Sequence, residues 1–183
     1  AVQAYQKRAH PLINELAIKA MEQGRRMRVR LVKGAYWDTE IKRAQVLGLP
    51  DYPVYSRKTN TDMSFIRCAH ELLQRRDVLY PMFATHNAHT ITAVTSLAGN
   101  NRSGYEFQRL HGMGETVYNL VMGDKTAPVC VYAPCGSHED LLPYLVRRLL
   151  ENGANSSFVN KLLDNEISSD EIIADPVEDA RRH

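Results

Sequence analysis

Two arginines, Arg147 and Arg148, stand side by side in the run Tyr144-Leu-Val-Arg-Arg-Leu-Leu-Glu151. On a helix, at ~100° per residue, both guanidiniums and Glu151 fall on one side, and Leu142, Leu145 and Leu149 fall on the other. Paired guanidiniums with a carboxylate one turn later suit a carboxylate ligand. The arginines grip it, and Glu151 orients one of them or meets a ligand hydroxyl. The same spacing also makes a plain surface Arg–Glu pair worth ~0.3–0.5 kcal/mol, and spacing alone favours that reading. Arg30 poses a sharper problem. It lies inside an apolar run at 29–32, where an unpaired charge costs several kcal/mol. A parallel strand between helices is buried on both faces. An edge strand with Arg30 in solvent is one reading; an arginine held for an anionic or electron-accepting ligand is the favoured one.

Further polar groups follow short apolar runs: Lys33-Gly34-Ala35-Tyr36-Trp37-Asp38, Thr85-His86-Asn87, Gln108-Arg109-Leu110-His111-Gly112-Met113-Gly114, and Tyr132-Ala133-Pro134. In α/β domains, function sits at the carboxyl ends of the strands. These aromatic, amide, imidazole and cationic groups would then share one mouth. His86, His89 and His111 invite a metal-dependent hydrolase reading. Only Glu115 supplies an acid nearby and no HExxH is present, so the metal signal is weak. Gly112-Met-Gly114 does not continue into GxGxxG, which makes a dinucleotide Rossmann site weak as well.

The elements that must position these groups alternate. Strands are expected at 27–33, 79–85, 105–110 and 129–133, with 1–3 as the tail of one more. Helices are expected at 11–23 (Leu12, Leu16 and Ala20 on one face), 62–75 (Met63, Ile66, Ala69 and Leu73, capped within 60–62), 89–98, 113–122, 138–151 and 155–163. Alternating strands and helices mean parallel strands with right-handed crossovers. An open doubly wound sheet and a (β/α)8 barrel both satisfy this. Four or five strands would be the C-terminal half of such a barrel.

The chain has 183 residues, 44% hydrophobic and 24% charged, with a formal net charge of +2. That is the size of one globular domain and argues for no polyanionic partner. The short basic cluster Gln23-Gly24-Arg25-Arg26 reads as a solvated helix end. Cys68, Cys130 and Cys135 lack CxxC spacing, which fits a reducing cytoplasm better than a disulfide framework. No apolar run reaches membrane-spanning length. Residues 164–183 are polar and acidic, like a linker.

Four stretches, in order, carry a resemblance: Arg30-Leu-Val-Lys-Gly-Ala-Tyr-Trp37, Phe83-Ala-Thr-His-Asn-Ala-His89, Phe107-Gln-Arg-Leu-His-Gly-Met-Gly114 and Tyr144-Leu-Val-Arg-Arg-Leu-Leu-Glu-Asn-Gly-Ala-Asn155. From Val2 to about Leu163 the chain resembles the proline dehydrogenase domain of the bifunctional proline utilization A flavoenzyme family. The resemblance implies an α/β fold, the C-terminal half of a distorted (β/α)8 barrel with parallel strands over 1–165. Residues 166–183 would lead toward a following module. It implies FAD held without a Rossmann fold, and no metal. The activity implied is oxidation of L-proline to pyrroline-5-carboxylate by hydride transfer from C5 to flavin N5. Electrons would pass to quinone. A fused aldehyde dehydrogenase domain, no nucleic-acid contact by this segment, and a cytoplasmic protein peripheral to the inner membrane are implied too.

By the same resemblance Arg30, Tyr132, Arg147 and Arg148 are catalytic. Tyr36, Leu110, Tyr132, Arg147 and Arg148 bind substrate, the arginine pair taking the proline carboxylate. Gln3, Arg30, Gly34, Ala35, Trp37, Ser56, Thr85, His86, Asn87, Glu151 and Phe158 contact the cofactor, with Arg57 a weaker possibility. Arg30 sits near flavin N5, and Glu151 and Phe158 meet the adenosine part. Family residues of earlier strands fall before Ala1, and half a barrel has two open edges. The chain alone is therefore expected to be poorly active. A metal-dependent barrel hydrolase and a non-catalytic half-barrel remain the alternatives.

Overall fold

The computed structural model describes residues 1–122 and 127–149, the side chains of 121 and 122 excepted. The elements are β1 (Val2–Gln3), α1 (Ala9–Glu22), β2 (Met27–Val32), α2 (Trp37–Val46), α3 (Lys58–Gln74), β3 (Leu79–Ala84), α4 (Ala88–Ala98), β4 (Glu106–Leu110), α5 (Glu115–Met122) and β5 (Val129–Tyr132). Residues 138–149 form a further helix, α6. The expected helix at 155–163 and the tail lie outside the described residues.

All strand pairs are parallel, and the order is β1-β2-β3-β4-β5. Each strand lies beside its neighbour in sequence, with no reversal. A doubly wound sheet reverses at a switch point, whereas a (β/α)8 barrel winds one way. The strand order therefore resolves what periodicity left open. The sheet is a five-strand arc of the α/β barrel fold.

Alternation along the strands sorts the two faces. Val2, Leu31, Phe83 and Phe107 are buried toward the helices and share rungs through the pairs Val2–Leu31, Leu31–Phe83 and Phe83–Phe107. Phe83–Tyr105, Tyr105–Phe107 and Phe107–Tyr118 meet edge to face and Phe83–Phe107 meet tilted, with centroids 5.8–6.0 Å apart. Such contacts add to the area that these rings bury. Ile13, Ala17 and Ala20 of α1 and Phe65, Cys68, Ala69 and Leu72 of α3 complete that core. The opposite face carries Arg28, Arg30 and Val32 of β2, Tyr80, Met82 and Ala84 of β3, and Glu106 and Gln108 of β4. Its polarity makes it the candidate ligand face.

Three expectations change. The inner face of α1 runs through Ala9, Ile13, Ala17 and Ala20, while Leu12 is 40% exposed. Three of those positions are alanines, which let the helix approach closely but give a weak periodic signal. Helix α3 begins at Lys58, and its N-cap, Arg57, makes no capping bond through its side chain. Asp62, expected within the cap, is instead paired to Lys33 and Lys58. Helix α2 was not expected. Only Ala44 of it is buried, so it shows little apolar periodicity. Asp38 and Glu40 in its first turn and Arg43 in its last suit the helix dipole.

Candidate functional site

Two adjoining cavities open over the carboxyl ends of the strands. The first, about 280 Å³, is lined by Gln3, Arg30, Gly34, Ala35, Tyr36, Thr85, His86, Gln108, Tyr132, Tyr144 and Arg148, among others. The second, about 400 Å³, is lined by Tyr5, Lys33, Trp37, Ser56, Arg57, Lys58, Asp62 and Asn87. Gly34, Ala84, Thr85 and His86 line both. The two therefore form one trough.

Arginines stacked on tyrosines dominate the first cavity. The guanidinium of Arg30 lies 4.6 Å from the ring centroid of Tyr132, that of Arg147 5.0 Å from Tyr36, and that of Arg148 5.5 Å from Tyr144. Stacking holds the cations without using their N–H donors. The Nε atoms of Arg30 and Arg147 are buried and make no hydrogen bond. Among the described residues neither side chain has a carboxylate partner. Among the described residues nothing supplies an acceptor to these buried donors, and a buried donor left without one is costly.

Helix α6 delivers Arg147 and Arg148 by reversing the usual pattern. Both arginines are partly buried, whereas Leu142 and Leu149 are 51% and 60% exposed. A surface ion pair would turn the leucines inward. The observed orientation favours the ligand-gripping alternative and sets α6 across the mouth of the sheet. Tyr144, on the same side, brings its hydroxyl 3.5 Å from that of Tyr132. Burial, then the hydrogen bond with Tyr132, pushes Tyr144 up to about 12, so it is a neutral phenol at physiological pH.

Strand–helix junctions place the amide and imidazole groups. Asn87 caps α4, its Oδ1 accepting from Thr90 N at 2.9 Å and from Thr90 Oγ1 at 3.0 Å. Thr85 Oγ1 accepts from Asn87 N at 3.2 Å. His86 Nε2 accepts from Leu110 N at 3.0 Å, so the neutral ring carries its proton on Nδ1. Burial, then the charges of Arg148, Arg109 and Arg30, holds His86 below its ordinary value of 6.5. The unfolded state therefore takes up a proton at a higher pH than the folded state does. Stability is full above the ordinary histidine range and falls as pH drops through 6.5 toward the lower folded value. Urea midpoints measured between pH 8 and pH 5 are expected to fall on acidification. They should fall less in His86→Gln, which keeps an acceptor without the titration.

Gly34 separates the two cavities. Its φ is +141°, and a Cβ there would lie 2.5 Å from the ring of Tyr5. The glycine is thus needed for ring packing as well as for close approach of a ligand to the backbone. Gly34→Ala is expected to cost about 2–4 kcal/mol in urea unfolding. In the second cavity, burial alone would raise the Asp62 carboxyl. The charges and hydrogen bonds of Lys33 and Lys58 outweigh burial and hold it below its ordinary value. Trp37 donates from Nε1 to Tyr55 O at 2.8 Å.

Most of the expected site residues thus line one trough: Gln3, Arg30, Gly34, Ala35, Tyr36, Trp37, Ser56, Arg57, Thr85, His86, Asn87, Tyr132 and Arg148. Arg147 joins through its stack on Tyr36. Leu110 is buried and, by alternation along β4, shares the face of Gln108 without lining either cavity; its backbone N–H donates to His86 Nε2. Glu151 and Phe158 lie outside the described residues. Tyr144 and Gln108 line the trough without having been assigned roles. Tyr144 sits three and four residues before the arginine pair, which was its available signal. His86, His89 and His111 form no metal-binding group, and among the described residues no three His, Cys, Asp or Glu do.

Parallel strands wound in chain order, with stacked arginines over their carboxyl ends, define an α/β-barrel protein with a trough for acceptor-bearing ligands. The chain belongs to the proline dehydrogenase family, whose model matches residues 1–161. It is 56% identical over 184 residues to the bifunctional protein PutA of Klebsiella aerogenes, covering 96% of this chain and 14% of that protein. It is 53% identical to bifunctional PutA of Rhizobium meliloti, covering 98% and 15%. A crystal structure of a point mutant of Bradyrhizobium japonicum proline utilization A superposes with TM-score 0.86 at 51% identity, covering 97% of this chain and 18% of the other. The chain thus spans about one seventh of the length of the curated relatives it matches.

Proposed function

We propose that this chain forms part of the FAD and proline site of a flavin-dependent proline dehydrogenase within a longer, bifunctional protein of the proline utilization A type. The observation that carries this reading is the inward turn of Arg147 and Arg148 over the trough that also holds Arg30 and Tyr132.

The residues present fit FAD. Arg30 offers a buried Nε–H that none of the described residues uses. Gly34 leaves the strand end open to close approach. Lys33, Lys58 and Arg57 bring positive charge to the second cavity, beside the N-terminus of α4, a setting suited to a diphosphate. Gln3, Arg30, Gly34, Ala35, Trp37, Ser56, Thr85, His86 and Asn87 would hold the cofactor, with Glu151 and Phe158 proposed for its adenosine end. Bound FAD supplies a two-electron acceptor for hydride from proline C5.

The side chains do the positioning. Arg147 and Arg148 bind the substrate carboxylate, and Tyr36, Tyr132 and Tyr144 enclose its ring. The guanidiniums of Arg30 and Arg148 in the first cavity, with Arg147 stacked on Tyr36 beside them, disfavour a protonated amine, and the neutral amine is the form from which hydride leaves most readily. Arg30 favours negative charge on the neighbouring acceptor.

Residues 1–165 would form the barrel segment and 166–183 a linker toward a fused aldehyde dehydrogenase domain. Electrons would pass on to quinone from a cytoplasmic protein at the inner face of the membrane. None of the helices described is long and apolar enough to cross one. Purifying the full-length protein that contains this chain tests the reading. Visible flavin bands that bleach when L-proline is added without oxygen are expected. A protein lacking those bands, or keeping them unchanged with proline, would overturn the proposal. A non-catalytic half-barrel predicts the second of these results.

A further inference from the structure

We infer that Glu106 is a positioning residue: it fixes the Gln108 side chain so that the trough presents a hydrogen-bond acceptor, Gln108 Oε1, to an N–H of the bound ligand. This rests on the functional reading above and deepens it. Glu106 is only 7% exposed, on the ligand face of β4. Its two oxygens are both engaged. Oε2 accepts from Arg28 Nη2 and from the Tyr80 hydroxyl, each at 3.2 Å. Oε1 accepts from Gln108 Nε2 at 2.8 Å. Arg26 and Arg28 both lie 5.1 Å from the ring centroid of Tyr80, which holds that phenol in place.

A carboxylate only accepts hydrogen bonds, so the amide of Gln108 must turn its nitrogen, not its oxygen, toward Glu106. The same nitrogen lies 3.2 Å from Met82 Sδ. Both amide hydrogens are thereby directed at neighbouring side chains. Oε1 is the atom Gln108 has left to offer the first cavity, which it lines. The surrounding arginines can only donate. A ligand with an N–H as well as acceptors needs a complement they cannot give, and Gln108 supplies it. Two N–H groups fit: the imide of a flavin ring, and the secondary amine of a proline-like substrate.

The test is a double-mutant cycle in the full-length protein carrying this chain: Glu106→Gln, Gln108→Leu and the pair. Glutamine at 106 can donate as well as accept, so it no longer dictates which way Gln108 turns. If the flavin imide is the donor, each single variant weakens FAD binding about five- to tenfold and shifts the visible flavin spectrum, with the proline KM unchanged. If the substrate amine is the donor, the proline KM rises by that factor while kcat and FAD affinity hold. Either way the double variant should be no worse than Gln108→Leu, because one residue acts through the other. Additive losses, or a folded Gln108→Leu with both constants unchanged, would overturn the inference while leaving the functional reading intact. If Glu106→Gln fails to fold, Tyr80→Phe takes its place in the cycle, removing one hold on Glu106. A wild-type protein with neither flavin nor proline turnover would sink both.

Discussion

Arg148→Met in the full-length protein raises the proline KM by about 10- to 100-fold and leaves FAD affinity near that of wild type. Arg148 lines the first cavity from α6, its guanidinium 5.5 Å from the ring centroid of Tyr144. A hydrogen bond between charged partners contributes ~1.5–3 kcal/mol, or about one to two orders of magnitude in affinity. Arg147 remains beside it to hold the carboxylate, which keeps the loss toward the lower end. Methionine keeps most of the apolar stem, so packing on Tyr144 survives. Steady-state kinetics with proline and a titration of the apoprotein with FAD separate the two affinities. Equal loss of both would mean that the trough, not the grip, had been damaged.

Arg30→Met is the second large effect. It slows reduction of the bound flavin by proline about 100- to 1,000-fold and makes the flavin harder to reduce. The guanidinium of Arg30 is stacked on Tyr132, with a buried Nε that none of the described residues uses. A preorganised charged donor at the place where negative charge develops is worth that much when removed. Anaerobic stopped-flow absorbance measures the rate, and equilibration with a reference dye measures the potential. A potential equal to that of wild type would show that Arg30 does not face the redox centre.

What the sequence showed and what it hid follow from the kind of signal each residue carries. The four main strands were legible to within a residue or two of each end, because short apolar runs broken by polar clusters have few other readings. Arg30 was legible because its charge contradicts its neighbours. Helix α2 was hidden because a helix that buries only Ala44 shows no apolar stripe. The rotation of α1 was hidden because alanine carries little directional information. For α6 the helical wheel was right and its orientation undecidable. Leucines on one side and arginines on the other ordinarily mean leucines inward, and only the assembled sheet reverses that. Gln108 was legible as a polar group at a strand end but carried no role, because its part depends on Glu106, and that dependence emerges only once β4 is known to turn both toward the same face. Strand order, which chose barrel winding over a doubly wound sheet, is a property of pairing between segments and not of any one of them.

A crystal structure of the full-length protein with a carboxylate analogue of proline bound probes the central claim most directly. The analogue's carboxylate should lie within hydrogen-bond distance of Arg147 and Arg148, its ring between Tyr36 and Tyr132, on the rim occupied by Arg30. An analogue bound elsewhere, with both guanidiniums turned to water, would contradict the account.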